Sequence, residues 1–600
     1  SLNAKSLVME NHSVNTKSLN ISLAGNDKNT FGVGAKVYVY NKGKMQYQQM
    51  NPTRGFQSSV ETRLHFGLGN ENAADSVVVV WPNQQYQVIK NVIANKPLTL
   101  KQKEATNSNY KYSTAAETNE TLAPAELSNW THVENPFIDY NVQYLIPHLA
   151  STRGPKIATG DVNGDGLDDM FVCGAKNQPS ALLIQKPDGS FVDSDKEAFA
   201  ENAVSEDVDA VFFDANGDKF LDLLVVSGGN QTLKNGREGE DRLYINDGKG
   251  HFTKDPLAFQ IQYESKSCVA VADIDKDGDL DFFIGNMTNA TSYGEPMNSY
   301  MYLNKGNGKF DMATASTIYL LSLGMVTSAQ FADVNNDGWP DLIVAGEWMS
   351  IKIFINNKGK FANAVELPNT TGLWQSLYAT DLNGDGKMDF LAGNWGHNSK
   401  LYAGKNGPLK LYLKDFDNNN SVEQIMAYTI DKKEYPFFAK DELEIALPVL
   451  KKGYLRYSEV AGKTVQFMFD DLFKGYKELD AKVLGSSAFI NEGNGQFTRT
   501  DLPDDLQLSP LFSFLPYNKG DRGYIAAGNF YGVTPYEGRY DAMVPTFFNY
   551  DTKNKSIQVN GILNTVRSEV RDLKWINAAG GKKVLVIASN NSKLQFFKSK

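Results

Sequence analysis

Six acidic loops of one pattern run through the middle of the chain, and they limit its possible folds more than any other feature. Each reads Asp-x-[Asp/Asn]-x-[Asp/Asn]-x-x-x-[Asp/Glu], from Asp161 in the first loop to Glu423 in the last. Oxygen ligands at positions 1, 3, 5 and 9 of such a loop suit Ca²⁺, which takes roughly 6–8 oxygens and accepts the main-chain carbonyl of position 7. We therefore predict about five or six structural Ca²⁺ ions.

Position 6 of each loop has to reverse the chain, which favours a residue that tolerates positive φ. Glycine occupies it as Gly166, Gly278, Gly338 and Gly386, whereas the second loop has Lys219, so we expect the weakest of the first five sites there. The predicted metal ligands, with position 7 contributing its carbonyl, are Asp161, Asn163, Asp165, Leu167, Asp169, Asp214, Asn216, Asp218, Phe220, Asp222, Asp273, Asp275, Asp277, Asp279, Asp281, Asp333, Asn335, Asp337, Trp339, Asp341, Asp381, Asn383, Asp385, Lys387, Asp389, Asp415, Asp417, Asn419, Ser421 and Glu423.

A short apolar run follows each of the first five loops, for example at 223–226 and 282–284. Runs this short and rich in Val, Ile and Phe indicate buried strands. Asn-Gly and Asp-Gly turns between apolar residues, as in 243–252 and 302–310, predict hairpins between the loops. Each unit of strand, calcium turn, strand and hairpin therefore supplies about four strands.

The first aspartates of the first five loops lie 48 to 60 residues apart. This spacing suits one four-stranded propeller blade of roughly 40–50 residues plus surface insertions. The sixth loop follows after only 34 residues, so it lies within a blade or on a shortened one. We predict an all-β chain with a seven-bladed β-propeller, eight blades being the alternative, preceded by a small β-rich domain.

The loops and the strands behind them resemble the FG-GAP/VCBS repeat family over about residues 140–425. The resemblance implies a calcium-binding propeller like the head of integrin α chains. Residues 21–40, the segment His65-Phe-Gly-Leu-Gly69 and residues 75–82 resemble the ASPIC/UnbV domain, which accompanies FG-GAP repeats in cartilage acidic protein-like bacterial surface proteins. Another propeller often precedes that domain, so the resemblance implies a further region upstream.

Three segments of the chain follow from these patterns. We predict the ASPIC/UnbV-like domain over 1–103, a polar linker over 104–128 and the propeller over 129–600. A helical-looking insertion is expected near 440–482 within the propeller.

Composition excludes several classes of protein. The net charge is −10, yet 21 acidic side chains lie in the six loops, so bound Ca²⁺ would offset the whole excess. No basic stripe indicates nucleic-acid binding, and no run of 18 apolar residues predicts a transmembrane segment. Cys173 and Cys268 lie beside predicted core strands, so we expect two buried free thiols rather than a disulfide between blades.

The motif search favours a non-catalytic chain. The six histidines form no HExxH motif or paired-ligand spacing, and neither GxSxG nor a P-loop occurs. Trp395 with His397, and Trp348 after the fourth loop, are candidates to line a ligand surface, although packing is the main expectation for both. The alternative is a carbohydrate-active lyase on the same scaffold, which would need His, Arg and Tyr to converge in a pocket near the propeller axis.

The predicted function is that of an extracellular binding or scaffold protein that recognises a protein, a peptide or a glycan. Loop sites of this kind bind Ca²⁺ at roughly 10⁻⁴–10⁻³ M and would be empty in cytosol. The Asn-, Lys- and Tyr-rich composition fits a Bacteroidota-like surface protein. In that setting the resemblance implies an outer-membrane accessory lipoprotein, anchored by a region outside this chain and associated with a SusC/SusD-type nutrient importer. A pure assembly subunit with a flat apolar patch is a third hypothesis.

Overall fold

The chain forms two compact units, Ser1–Ala115 and Ala116–Lys600. The computed structural model describes residues 8–10, 12, 16–55, 57–108, 110, 121–231, 236–401, 406–493, 495–518, 522–535 and 537–599. Strands predominate in both units, so the predicted all-β class is confirmed.

The described part of the first unit is built from two antiparallel-rich sheets around one core. Its strands are β1 (Lys17–Ala24), β2 (Lys36–Asn41), β3 (Lys44–Gln49), β4 (Arg63–Gly69), β5 (Ala73–Val80), β6 (Tyr86–Ile93) and β7 (Pro97–Lys101). The sheet orders are β4-β1-β7, with β1 and β7 parallel, and β3-β2-β5-β6. Strand β4 shows the expected alternation, since Leu64, Phe66 and Leu68 are buried and their neighbours are exposed.

The second unit begins with a strand inside the predicted linker, β8 (Leu122–Ala125). It pairs with the last strand of the unit, so the predicted linker over 104–128 is too long at its C-terminal end. The polar composition of the segment predicted a linker, yet residues 122–125 form a strand. Pro124 is tolerated in it because β8 is the outermost strand of its sheet. Residues 111–120 of the predicted linker lie outside the described residues.

Four blades follow in chain order, each an antiparallel sheet built from strands that are consecutive in sequence. Blade 1 contains β9 (Ile157–Gly160), β10 (Asp169–Val172), β11 (Ala181–Gln185) and β12 (Phe191–Ser194), and blade 2 contains β13 (Asp207–Phe213), β14 (Asp222–Ser227), β15 (Arg242–Asn246) and β16 (Phe252–Asp255). Blade 3 contains β17 (Ser265–Ala272), β18 (Asp281–Thr288), β19 (Tyr300–Asn304) and β20 (Phe310–Met312). Blade 4 contains β21 (Met325–Ala332), β22 (Asp341–Met349), β23 (Lys352–Phe354), β24 (Val365–Glu366) and an added strand, β25 (Gly372–Leu373). Short helices α1 (Lys196–Ala200) and α2 (Thr314–Thr317) lie on connections between blades.

Blade 5 carries a large insertion between its second and third strands. In chain order the elements are β26 (Ser376–Thr380), β27 (Asp389–Gly393), β28 (Leu409–Lys414), β29 (Glu423–Ile430), β30 (Lys433–Pro436), α3 (Lys440–Ala446), α4 (Val449–Gly453), α5 (Tyr457–Val460), α6 (Val465–Phe469), β31 (Lys477–Ala481), β32 (Ser487–Gly493) and β33 (Gln496–Asp501). Strands β28 to β31 form a sheet of their own. The four helices lie within the predicted range 440–482, but the end of that range is a strand because β31 pairs with β28.

Two further blades complete the unit. Blade 6 contains β34 (Leu511–Asn518), β35 (Gly523–Gly528), β36 (Thr546–Asp551) and β37 (Ser556–Ile562), and blade 7 contains β38 (Val570–Ala578), β39 (Lys582–Ser589), β40 (Gln595–Ser599) and β8. The first strands of the seven blades contact one another in order, and β38 contacts β9, so the sheets form a ring. This arrangement confirms the predicted propeller.

Each pair of neighbouring blades shares its own apolar core. Between blades 2 and 3, for example, Leu224 and Val226 lie in one cluster with Phe282 and Tyr300. Equivalent clusters fill the other six gaps of the ring, including the gap between blades 7 and 1. Cys173 and Cys268 are buried free thiols in two of these clusters, as predicted. Face-to-face packing of sheets is thus the main source of cohesion.

A buried asparagine in the hairpin of four blades links each blade to the one before it. Asn304 of blade 3 donates from Nδ2 to the carbonyl of Ala215 in blade 2 (2.9 Å) and to that of Leu280 in its own blade (3.2 Å). Asn246, Asn356 and Asn491 make the same pair of bonds in blades 2, 4 and 5. Gln185 of blade 1 bonds to blade 7 in the same way. The hairpins that the sequence predicts therefore also hold the ring together.

The antiparallel order divides the propeller into two faces. Connections from first to second and from third to fourth strands emerge on one side, which we call the loop face because it carries the acidic loops and the hairpins. Connections from second to third strands, and from one blade to the next, emerge on the other side. We call this the insertion face because the insertion of blade 5 lies there.

We predict that Asn304→Ala lowers the unfolding midpoint of the propeller. The change leaves two buried carbonyls without their donor, which costs about 1–3 kcal/mol. Thermal unfolding in calcium buffer measures the effect, and the exposed Asn363→Ala is the matched control, with a change of about 0.5 kcal/mol or less. Equal midpoints for the two variants would show that the hairpin asparagine does not hold neighbouring blades together.

Candidate metal centres

Five of the six acidic loops are tightly wound around their first aspartate. In the first loop, Asp161 accepts hydrogen bonds from the main-chain N–H of Gly164 at Oδ1 and of Gly166 at Oδ2, both at 2.8 Å. The first aspartates of the second, fourth, fifth and sixth loops, Asp214, Asp333, Asp381 and Asp415, accept equivalent main-chain bonds. The side chain at position 5 in turn accepts the N–H of position 7 in all six loops. The loops are therefore turned inward before any ion is considered.

Position 6 adopts positive φ in every loop, as the sequence predicts. Gly278 has φ +99°, and Asn420 of the sixth loop has φ +67°. Lys219 of the second loop has φ +74°, a conformation that is unfavourable for a long side chain. This agrees with the prediction that the second loop is the least favourable of the first five, although the affinity of that site stays a prediction.

The acid at position 9 is buried and joins the loop to its hairpin. In the third loop, Asp281 Oδ2 accepts the N–H of Ile274 and Oδ1 accepts the N–H of Asn304, both at 2.8 Å. The other four blade loops repeat this pair of bonds at their position-9 aspartates, Asp169, Asp222, Asp341 and Asp389. Each of these side chains therefore holds its loop and its hairpin together.

Burial raises the pKa of these carboxyl groups, to about 6 for Asp281 and to about 7 for Asp169, despite the main-chain hydrogen bonds that oppose the shift. The neighbouring loop carboxylates raise it further. A bound cation would supply the opposite charge that such a buried acid lacks.

In each of two loops, three acidic side chains converge, counted over the residues that the structure describes. Oxygens of Asp273, Asp275 and Asp281 lie within 4.8 Å of one another, and so do those of Asp415, Asp417 and Glu423. Asp273, Asp275 and Asp417 each retain a buried oxygen with no hydrogen-bond partner. These unsatisfied oxygens fit a hard cation, because Ca²⁺ binds carboxylates that are converged in this way.

The other four loops have asparagine at position 3, so each has three carboxylates at positions 1, 3, 5 and 9, one fewer than the third loop. In the second and fourth loops that asparagine donates to the position-5 aspartate, as Asn216 does to Asp218 at 2.9 Å. In the fifth loop Lys387 approaches Asp385 at 3.2 Å. The predicted ligand sets of these loops, and the position-7 carbonyls of all six, stay predictions. When bound, Ca²⁺ would neutralise the converged acids and stiffen the turn.

The insertion face is spanned by one stretch of chain. Residues 126–156, which we call the crossing segment, connect β8 to β9 and hydrogen-bond to every blade. The contacts are Val133 with Gln178 of blade 1, Asp139 with Asn230 of blade 2, Gln143 with Ala290 of blade 3, Arg153 with Glu347 of blade 4 and Gln375 of blade 5, Leu149 with Gly532 of blade 6, and Thr152 with Arg571 of blade 7. The centre of this face is therefore occupied by the chain itself.

Glu347 is the buried acid on which the crossing segment is anchored. Its Oε2 accepts from His148 Nε2 (2.9 Å) and Tyr293 Oη (2.7 Å), and its Oε1 from Arg153 Nη2 (2.7 Å) and Gln375 Nε2 (2.9 Å). Burial alone would raise the pKa of Glu347, but the charges of His148 and Arg153 and these hydrogen bonds hold it well below its usual range. Four donors satisfy this carboxylate, so it stays ionised although it is fully buried.

In the two aromatic segments singled out in the sequence, both tryptophans pack in the core, whereas His397 lines a cavity. Trp348 is buried and donates from Nε1 to Tyr293 (2.8 Å), and Trp395 is buried against His148 (ring centroids 4.9 Å apart), so both pack as expected. His397 instead lines a cavity of about 490 Å³ with Arg539 and Tyr540. That cavity lies on the insertion face between the connections of blades 5 and 6. His148, Arg153 and Glu347 carried no local sequence signal, because their partners are about 200 residues distant.

Comparisons with known proteins bear on these observations. The ASPIC and UnbV family model matches residues 25–107. The FG-GAP-like repeat model matches four segments in two overlapping pairs, 161–225 with 214–284 and 290–344 with 333–392, which cover the first five acidic loops. Both resemblances stated from the sequence are therefore confirmed. No curated protein matches the chain significantly.

Several solved structures align with much of the chain at low identity. BBS1N, crystallised in complex with ARL6DN, is 10% identical and is aligned over 79% of this chain and 97% of its own, with a TM-score of 0.36. The V. cholerae biofilm matrix protein Bap1 is 12% identical over 78% of this chain and 90% of its own, with a TM-score of 0.31. Saccharomyces cerevisiae Sqt1 is 10% identical over 76% and 98%, with a TM-score of 0.35. At these values none of them bears on the function.

We predict that Asp273→Asn removes about one Ca²⁺ from the purified chain. The substitution keeps the shape of the side chain but removes one of three converged charges. Metal counting after dialysis, together with melting in calcium and in EDTA, measures the change, and EDTA should lower the midpoint of the unmodified chain by mass action. Asp311→Asn, an exposed aspartate on β20, is the matched control. An unchanged metal count in Asp273→Asn would exclude Ca²⁺ from the third loop.

We predict that Glu347→Gln destabilises the propeller by about 3–5 kcal/mol near neutral pH, because it leaves Arg153 beside an uncharged partner. A lowered pKa means that the stabilisation is fully present above the ordinary glutamate value of 4.5 and is lost as the pH falls from there toward the lowered pKa. The difference in unfolding midpoint between the variant and the unmodified chain should therefore shrink in acid. Glu197→Gln, at an exposed site in α1, is the control. A difference that is independent of pH would contradict the ionised state.

Proposed function

Because the chain joins an ASPIC and UnbV domain to an FG-GAP-like repeat β-propeller, we propose that it is a non-catalytic, extracellular, calcium-stabilised binding or scaffold protein. The observation that carries the proposal is the division between its two faces. The loop face uses a geometry repeated from blade to blade to hold the blades together, whereas the insertion face carries the large insertion and the cavities of about 490 and 620 Å³. Ligand recognition then belongs to the insertion face, where connections vary without disturbing the ring.

The partner is a protein, a peptide or a glycan outside the cell. Weak loop sites for Ca²⁺ fill at extracellular calcium concentrations, which supports this location. The resemblance supports a cell-surface accessory subunit of a bacterial outer membrane, associated with a SusC/SusD-type uptake complex and anchored by a region outside this chain. None of the helices that the structure describes is long and apolar enough to cross a membrane.

The lyase alternative draws on one specific observation, since His397, Arg539 and Tyr540 share a cavity. However, Tyr540 is buried and its hydroxyl donates to Glu537 Oε2 at 2.8 Å. Burial raises the pKa of Tyr540 strongly, and the adjacent Glu537 raises it further. A phenol held in this way does not supply the base that proton abstraction needs at neutral pH. The cavity therefore supports binding more than catalysis.

We predict that the chain is labelled on intact source cells by a membrane-impermeant, amine-reactive biotin reagent. Lys451 and Lys452 in the insertion are exposed and provide reactive sites. A cytosolic protein of the same cells is the control and should be labelled only after lysis. Labelling of this chain only after lysis would contradict the extracellular location, and release of unsaturated sugar products from acidic polysaccharides would contradict the non-catalytic assignment.

A further inference from the structure

Two cavities adjoin on the insertion face. The first, of about 490 Å³, lies between residues 397–400 and the blade 6 connection at 537–542. The second, of about 620 Å³, lies between Lys400 and the inserted elements β29, β30, α3 and α5. Lys400 lines both, so the two cavities adjoin at its side chain, and we call the pair the insertion groove.

One end of the insertion groove is aromatic. Tyr428, Phe437, Phe438 and Tyr457 line it, and the rings of Tyr428 and Phe437 pack 5.3 Å apart. Tyr457 is 53% exposed, so part of its ring is open to solvent. Rings of this kind offer flat apolar surfaces to a ligand while the rest of the site stays wet.

The other end is lined by planar polar groups. Arg539 pairs with Asp541 at 2.9 Å, and both side chains remain more than 40% exposed. The guanidinium of Arg539 also lies over the ring of Tyr531, 4.5 Å from its centroid, which fixes its plane. Asn398 and Glu537 complete this wall, and Glu537 is held by Thr534 (3.0 Å) and Tyr540 (2.8 Å). Each group is positioned by the protein before a ligand arrives.

The groups of the groove match the chemistry of a sugar. A pyranose ring has an apolar C–H face that packs on an aromatic ring, and a rim of hydroxyls that both donate and accept hydrogen bonds. Carboxylates and amide oxygens accept from such hydroxyls, while guanidinium and amide N–H groups donate to them. The groove has these donors and acceptors at one end and the aromatic surface at the other.

The charged side chains that line the groove indicate which class of sugar it can bind. Among the residues that the structure describes, four carboxylates line the groove, namely Asp441, Glu442, Glu537 and Asp541, against the cations Lys400 and Arg539. A uronate or sulfated chain would meet more like charge than opposite charge, so an uncharged ligand is favoured. The crossing segment occupies the centre of the same face, and the groove lies to the side of it, next to the inserted elements β29, β30, α3 and α5.

We propose that the insertion groove binds an uncharged oligosaccharide. The proposal rests on the proposed function, since it assigns a ligand class to the face that this function uses. Tyr457, Tyr428 and Phe437 supply the stacking surface, and Arg539 and Asp541 bind the hydroxyls at the opposite end. A peptide is the alternative occupant, and its binding would be detected with peptide probes instead of glycan probes.

The test is a glycan array probed with the purified chain in calcium, carrying neutral, uronate-containing and sulfated oligosaccharides, followed by calorimetry with the best neutral hexasaccharide. We expect binding to neutral oligosaccharides, weakened about tenfold or more by Tyr457→Ala and several-fold by Asp541→Asn. Tyr319→Ala, which removes a 40% exposed tyrosine of blade 3 away from the groove, is the matched control and should bind normally. Thermal unfolding checks that each variant is folded.

Three outcomes would overturn the proposal: no neutral glycan is bound, only acidic glycans or a random peptide library are bound, or neither groove variant changes the affinity. Asp541 is exposed enough that its variant should fold even if Tyr457→Ala does not. Failure of the glycan test with surface labelling of intact cells would reject the ligand class alone. Failure of surface labelling would reject the proposed function independently.

Discussion

The propeller depends on a buried carboxylate at the last position of each acidic loop. In blade 3 this is Asp281, which accepts one N–H from its own loop and one from Asn304 in the hairpin. Asn304 in turn donates a hydrogen bond to the preceding blade, so Asp281 and Asn304 together join the loop, its hairpin and the neighbouring blade. A carboxylate in such a place needs either a proton or a cation, and the loop that surrounds it offers oxygens for the cation. A cation bound in the loop would thereby be coupled to blade geometry and ring closure.

The opposite face depends on a second buried acid that is satisfied without metal. Glu347 accepts hydrogen bonds from Arg153 and His148 of the crossing segment and from two neutral donors of the blades. One face is therefore suited to a soluble ion and the other to the chain's own His148 and Arg153. This division leaves the outer part of the insertion face free to vary, and the insertion of blade 5 occupies it.

The sequence was sufficient for features that repeat locally. The six loops, the strands behind them and the Asn-Gly hairpins all have periodic signals, and they predicted the propeller, the buried thiols and the N-terminal domain. The crossing segment was missed because its contacts are specific to one place and span long distances, as between Arg153 and Glu347, 194 positions apart. Strand β8 was missed because a four-residue strand containing Pro124 has no periodic pattern, and only pairing with β40 defines it. The role of Asp281 in joining the loop to the hairpin was missed, because the motif identifies Asp281 as a metal ligand but does not show which main-chain N–H groups its side chain accepts.

Strand β8 also has a consequence for the order in which the protein can be completed during synthesis. The outer strand of blade 7 is made before blade 1, and its partner β40 lies near residue 599. The first part of the propeller to leave the ribosome must therefore wait, unpaired, until the last part has appeared. The crossing segment waits as well, since it needs contacts from all seven blades. A chain that ends before β40 lacks the partner for β8, so only a chain that extends through β40 can close the ring.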